Sequence, residues 1–190
     1  MKKLIFFILG LLLIGSGPVF AQESTLVKVK AILTENGSTS DFSLSGWQAN
    51  KQVWEKLWLE IASTELSPVS PHTIHSGAIL IAVKGKLYSI DLSTGEINFG
   101  KAEVGYCSHK PVVGKDGTIY CSGYYGPVIT AVTPDGKVKW SYENEDMWWP
   151  DEILLKGKTI QVMHYDPNGE QKMVSTFSKS GKCLRTKKRK

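Results

Sequence analysis

The 190-residue sequence predicts an all-β chain assembled from four-stranded antiparallel units of about 40 residues each. Two markers running in phase predict it. Trp58, Phe99 and Trp140 recur at intervals of 41 and 41 residues, each closing a short β-type run (EKLW, GEINF, GKVKW). Gly77, Gly117 and Gly157 recur at 40 and 40, each opening one (GAILIAV, GTIYCSG, GKTIQVM). A shared interval in two independent residue types marks a structural repeat. The turn glycines of DLSTG, TPDG and SKSG (Gly95, Gly136, Gly181) follow the same rhythm at 41 and 45 residues, four positions before the aromatic or its equivalent.

The chain opens with a targeting segment. Residues 1–21 carry two lysines, an eleven-residue apolar run at 4–14, a Gly/Pro breaker and Val19-Phe20-Ala21, the pattern of a secretory signal peptide cleaved after Ala21. Eleven apolar residues fall short of the roughly 20 a bilayer-spanning helix needs. The expectation is an exported, periplasmic or secreted protein with no transmembrane segment after cleavage. Residues 22–51 read as an N-terminal linker or strand segment, with residues 26–33 a strand able to cover a sheet edge. Ser45-Gly-Trp-Gln48 resembles a capping box, and Val53, Leu57 and Ile61 with Trp54 and Trp58 fit helical spacing over 46–63. The repeat phase instead makes an outer strand from Lys56 onward, leaving 46–54 as at most a helical turn.

The repeats occupy residues 52–185. One unit reads as PVV from Pro111, TIYC from Thr118, VITAV from Val128 and KVKW from Lys137, with Gly, Asp and Pro between the runs. Four strands per 40-residue unit are the blade of a β-propeller. Blades bury their faces only by stacking, so the terminal aromatics Trp58, Phe99 and Trp140 are the expected core, with Asp91, Gly95 and Gly136 as structural turn positions of the repeat. About three blades fit, plus the last strand of one before Trp58. Closed rings have four to eight, so the propeller is expected to be open, with strand edges available for self-association.

The segments LYSIDLSTGEINF (from Leu87) and VITAVTPDGKVKW (from Val128) resemble the repeat of the PQQ-like, or quinoprotein alcohol dehydrogenase-like, β-propellers. Ser89, Asp91, Thr94, Gly95, Glu96 and Phe99 fill its tryptophan-docking motif once, and Ala131, Gly136, Lys137 and Trp140 again. A third copy keeps Gly181 and Lys182 but has Arg185 in the aromatic position. The resemblance implies the fold, and by analogy a scaffold of the bacterial envelope. It also implies an alternative: a truncated relative of the PQQ-dependent dehydrogenases, which bind quinone and calcium on the axis of an eight-bladed ring and often carry adjacent cysteines, absent here.

Charge narrows the partners. Apart from Lys2, Lys3 and the six basic residues among the last nine, the chain holds 15 basic against 18 acidic groups, which argues against nucleic acid. Residues 186–190 read as a solvated basic tail. Three cysteines, Cys107, Cys121 and Cys183, leave at least one unpaired within the chain. With Gly114 opposite Gly117, Cys121 would face Lys110 and lie roughly 10 Å from Cys107, beyond disulfide reach. His72-x-x-His75 and Cys107-x-His109 hold metal-ligand residue types without paired spacing, so loop histidines are the expectation. Gly157-Lys158-Thr159 lacks the first glycine of a phosphate loop, and no Gly-x-Ser-x-Gly elbow is present. The candidate ligand-binding residues are the loop aromatics Tyr124, Tyr125, Trp148 and Trp149 together with His109, although packing between blades is the stronger expectation for the two tryptophans. The sequence thus points to a non-catalytic exported binding or scaffold module for a protein, peptide or glycan, with no cofactor and no metal expected.

Overall fold

The structure is a computed structural model that describes residues 28–36, 39–62, 69–107, 109–124 and 128–189. The signal segment 1–21 and Tyr125 lie outside these residues. Among them the chain is all-β: four antiparallel sheets follow one another along the sequence, each a simple meander. The first holds β1 (Lys28–Asn36), β2 (Thr39–Gln48) and β3 (Lys51–Ala62); the second holds β4 (Thr73–His75), β5 (Ala78–Val83), β6 (Lys86–Asp91) and β7 (Ile97–Glu103). The third comprises β8 (Val112–Val113), β9 (Ile119–Cys121), β10 (Ile129–Val132) and β11 (Val138–Tyr142), and the fourth β12 (Trp148–Lys156), β13 (Thr159–Tyr165), β14 (Lys172–Ser178) and β15 (Cys183–Lys188). No described helix is long and apolar enough to cross a membrane.

The sheets stack face to face, and β5 shows why its sequence is continuously apolar. Ile79, Ile81 and Val83 pack with Phe42, Leu44 and Trp54 of the first sheet, while Leu80 and Ala82 pack with Ile119, Cys121 and Val132 of the third. Both faces of a middle sheet are covered, so the usual apolar/polar alternation disappears. Strand β9 repeats the arrangement: Ile119 and Cys121 face the second sheet, Tyr120 the fourth, where Ile160, Val162 and Phe177 complete the last core. Each Val, Leu, Ile or Phe side chain among these, once fully buried, contributes ~1.5–3 kcal/mol.

One lock recurs at every junction. The outer-strand aromatic of each sheet lies on the turn glycine of the next: Trp54 on Gly95, Phe99 on Gly136, Trp140 on Gly181. A Cβ on these glycines would stand 2.6, 2.5 and 2.7 Å from the ring, and their φ angles of +73°, +85° and +89° disfavour any other residue. Both indole N–H groups donate into the same turn, Trp54 Nε1 to the Leu92 carbonyl at 3.0 Å and Trp140 Nε1 to that of Lys179 at 2.9 Å. The Asp91 carboxylate knits its turn by accepting from the backbone N–H groups of Ser93 and Thr94, both at 2.8 Å, and from the Ser93 hydroxyl at 2.6 Å. These bonds, led by that hydroxyl, hold its pKa at about 2.

Three expectations change. The outer strand expected from Lys56 is present as part of β3, and the helical turn allowed over 46–54 is not: a two-residue turn at Ala49 (φ 48°) and Asn50 (φ 63°) joins β2 and β3 in a three-stranded sheet that precedes the three four-stranded ones. The aromatic docked on Gly95 is Trp54, not Trp58, whose backbone pairs with Phe42 and whose side chain lies outside the described part. The β8–β9 hairpin is shifted by one residue, since Val113 pairs with Ile119 and the Gly114 N–H donates to the Thr118 carbonyl. Cys107 and Cys121 then share the core between the second and third sheets. The Cys121 thiol is raised well above its ordinary range, first by its hydrogen bond with Cys107 and then by burial.

Candidate functional site: one end of the blade array

Strands alternate in direction, so the connections after β5, β7, β9, β11 and β13 emerge at one end and the locking turns at the other. Backbone bonds tie the first set together. Val104 N–H donates to the Gly85 carbonyl at 2.8 Å, and Tyr124 N–H to that of Tyr106 at 2.9 Å. A Cβ on Gly123 would stand 3.0 Å from the Val104 carbonyl oxygen, so glycine permits this close approach. All the described candidate residues, His109, Tyr124, Trp148 and Trp149, fall at this end.

Trp148 and Trp149 are 47% and 50% exposed, against the expectation of packing between blades. The reason is a break in β12. Trp148 pairs with Tyr165 and Glu152 with Met163, leaving residues 149–151 opposite His164 alone. Pro150 has no N–H to give the ladder, and the bulge turns Trp149 and Asp151 away from regular pairing. Trp149 adopts φ +45°, an uncommon state for a bulky side chain and more so before proline. Trp148 is fixed by its own indole N–H, which donates to the Glu145 carbonyl at 2.9 Å.

Around this bulge the rings meet edge to face. The Trp148 and Trp149 centroids are 6.1 Å apart at 61°, and those of Trp149 and Tyr165 6.2 Å apart at 73°. Lys172 Nζ lies 5.4 Å over the Tyr165 ring. Asp151 stands between two basic side chains, with Oδ1 3.7 Å from His109 Nε2 and Oδ2 3.7 Å from Lys172 Nζ. Lys172 is held above the ordinary lysine range, first by its hydrogen bond with Tyr165, then by the charges of Tyr165 and Asp151.

The fold therefore gathers His109, Trp148 and Trp149 into one cluster, while Tyr124 is bonded to Tyr106. Asp151, Tyr165 and Lys172 complete the cluster and were missed, because an Asp-Glu pair in a loop reads as solvated and strand pairing alone brings 165 and 172 alongside. The proline after two tryptophans was the available signal. Cys107 and His109 diverge, the first into a core and the second toward Asp151. His72 is half-buried, with its pKa lowered by burial. Among the described residues no group of three or more His, Cys, Asp or Glu side chains is arranged to hold a metal ion. His164 is buried: its Nε2 bonds Ser175 Oγ at 2.9 Å, Ser175 Oγ bonds Thr186 Oγ1 at 2.7 Å, and burial lowers its pKa.

No family model matches the sequence, and no curated protein does. Solved structures match in fold. BamB from Moraxella catarrhalis superposes with a TM-score of 0.58 at 18% identity over 83% of this chain and 50% of its own. Hydrazine synthase from Kuenenia stuttgartiensis gives 0.56 at 14% identity over 84% and 48%, and a protein of unknown function from Bacteroides caccae 0.53 at 6% over 84% and 68%. The fold is the β-propeller type of these neighbours, here an open array of four sheets among the described residues, and the chain spans about half the length of the first two.

Proposed function

We propose that this chain is a non-catalytic, exported binding module that receives a protein, peptide or glycan on the end of the array carrying the β7–β8, β9–β10 and β11–β12 connections. The fold itself does not choose a function, since it carries many. The observation that supports the reading is the presentation of Trp148 and Trp149, half-exposed on a strained bulge, beside Asp151 and Lys172. Strain held at an exposed aromatic pair is characteristic of binding positions rather than of packing. Export rests on the signal pattern of residues 1–21.

The reading is tested with photo-crosslinking residues at Tyr106 and Glu145 at one end, and at Asp135 and Lys158 at the other, in cells that export the full chain. Adducts confined to the first pair are expected. Adducts only at the second pair, or none at any position, would contradict the reading. A parallel titration with PQQ and calcium is expected to show no saturable binding; saturation would replace it with the quinoprotein alternative.

A further inference from the structure

We infer that the Trp148–Trp149–Tyr165 cluster is a subsite for a neutral saccharide, an assignment that rests on the binding-module reading and specifies its ligand class. Two half-exposed indoles offer apolar faces steeply inclined to each other, one held by the Trp148 N–H bond to Glu145 and the other by the 149–151 bulge. A sugar ring has a matching face of C–H groups and a rim of hydroxyls, each both donor and acceptor, so its recognition requires donors and acceptors beside an aromatic surface. Asp151 supplies the acceptor. Its two oxygens are both 3.7 Å from their basic neighbours, an ion-pair separation longer than a hydrogen bond, so the carboxylate retains accepting capacity. Lys172 supplies donors at the same place.

Charge excludes the competing ligands. An organic cation would favour an aromatic cage, but the Lys172 ammonium already stands 5.4 Å over the Tyr165 ring and repels a second positive charge. An anion would meet Asp151 in the centre of the cluster, with Glu145, Asp146 and Glu152 in the same stretch of chain. A ligand without charge but rich in hydroxyls fits both constraints. The indole faces provide affinity and the Asp151–Lys172 pair provides orientation.

The full chain is titrated with cellotetraose, maltotetraose, xylotetraose and tetra-N-acetylchitotetraose, following tryptophan fluorescence and heat, with tetramethylammonium and acetate as charged probes. At least one oligosaccharide is expected to bind saturably. Trp149→Ala should weaken it about tenfold or more, equivalent to ~1.4 kcal/mol, and Asp151→Asn, which preserves shape, should weaken it while leaving the melting temperature unchanged. Trp47→Ala, in the first sheet, should have no effect. Failure of all four sugars, affinity undiminished by both site variants, or saturation by a charged probe instead would overturn the assignment. Sugars failing while cross-links persist at Tyr106 and Glu145 would remove only the saccharide; loss of both would remove the binding module as well.

Discussion

The junctions inside the array and the two ends of the array are built from the same repeat but finished differently. At each of the three internal junctions an outer-strand aromatic meets a turn glycine of the next sheet. At the far end the equivalent position is Arg185, exposed and paired with Thr176. At the near end, the turn that would receive a preceding aromatic carries Ala49 and Asn50, both exposed. The outward faces mix charged and apolar side chains, with Val53 and Leu57 exposed beside Glu55 on the first sheet. On the first sheet Ser43 Oγ donates to Glu55 at 2.5 Å and Lys30 Nζ stands 5.8 Å over Trp47; on the fourth, Arg185 and Lys187 share cross-strand rows with Thr176 and Val174. Both halves of the lock are thus confined to the internal junctions of the described array.

An internal junction is disrupted most by emptying it. Phe177 is fully buried between the third and fourth sheets and meets Tyr142 edge to face at 4.9 Å. Phe177→Ala is expected to cost ~3–5 kcal/mol, read by urea unfolding. A matched pair of glycines then separates the lock from ordinary turn geometry. Gly136 (φ +85°) lies under Phe99, whereas a Cβ at Gly157 (φ +60°) would meet no described atom within 4 Å. Gly157→Ala should cost only the left-handed penalty of ~1–2 kcal/mol, and Gly136→Ala should add the overpacking cost of ~1–3 kcal/mol. Equal losses would show that the ring contact contributes nothing.

Protonation probes the last junction more gently. The folded pKa of His164 is lowered by burial, so below its unfolded value of about 6.5 the unfolded chain binds the extra proton and stability falls as pH decreases. The melting temperature of the wild type should drop more steeply from pH 7.5 to 5 than that of His164→Asn, with parallel curves contradicting the assignment. The smallest effect is expected at the end itself. Restoring the motif with Arg185→Trp should change stability by no more than about 0.5 kcal/mol, the range of ordinary surface substitutions, because Arg185 stands exposed.

Much of this was legible in the sequence because the repeat constrains two chemistries at once. Gly95, Gly136 and Gly181 are required both by positive φ and by a ring overhead, so they stay in phase with Phe99 and Trp140. The first blade was obscured because its turn uses Asn50 in place of glycine. Asn50 precedes Trp54 by four residues, as Gly95 precedes Phe99, and that signal identifies the docked tryptophan better than the 41-residue interval that points to Trp58. The site was only half legible. Exposed aromatics and a histidine can be singled out by type, but the bulge at 149–151 and the approach of Asp151 to Lys172 depend on strand register, which no local pattern specifies.

Whether the outer faces of the first and fourth sheets pair between copies is decided by the solution mass of residues 22–190. Light scattering across a micromolar concentration series should report the mass of one chain throughout. A stable species of two chains would mean that copies pair through the outer faces of the first and fourth sheets, and would contradict the reading of the array as a single-chain module.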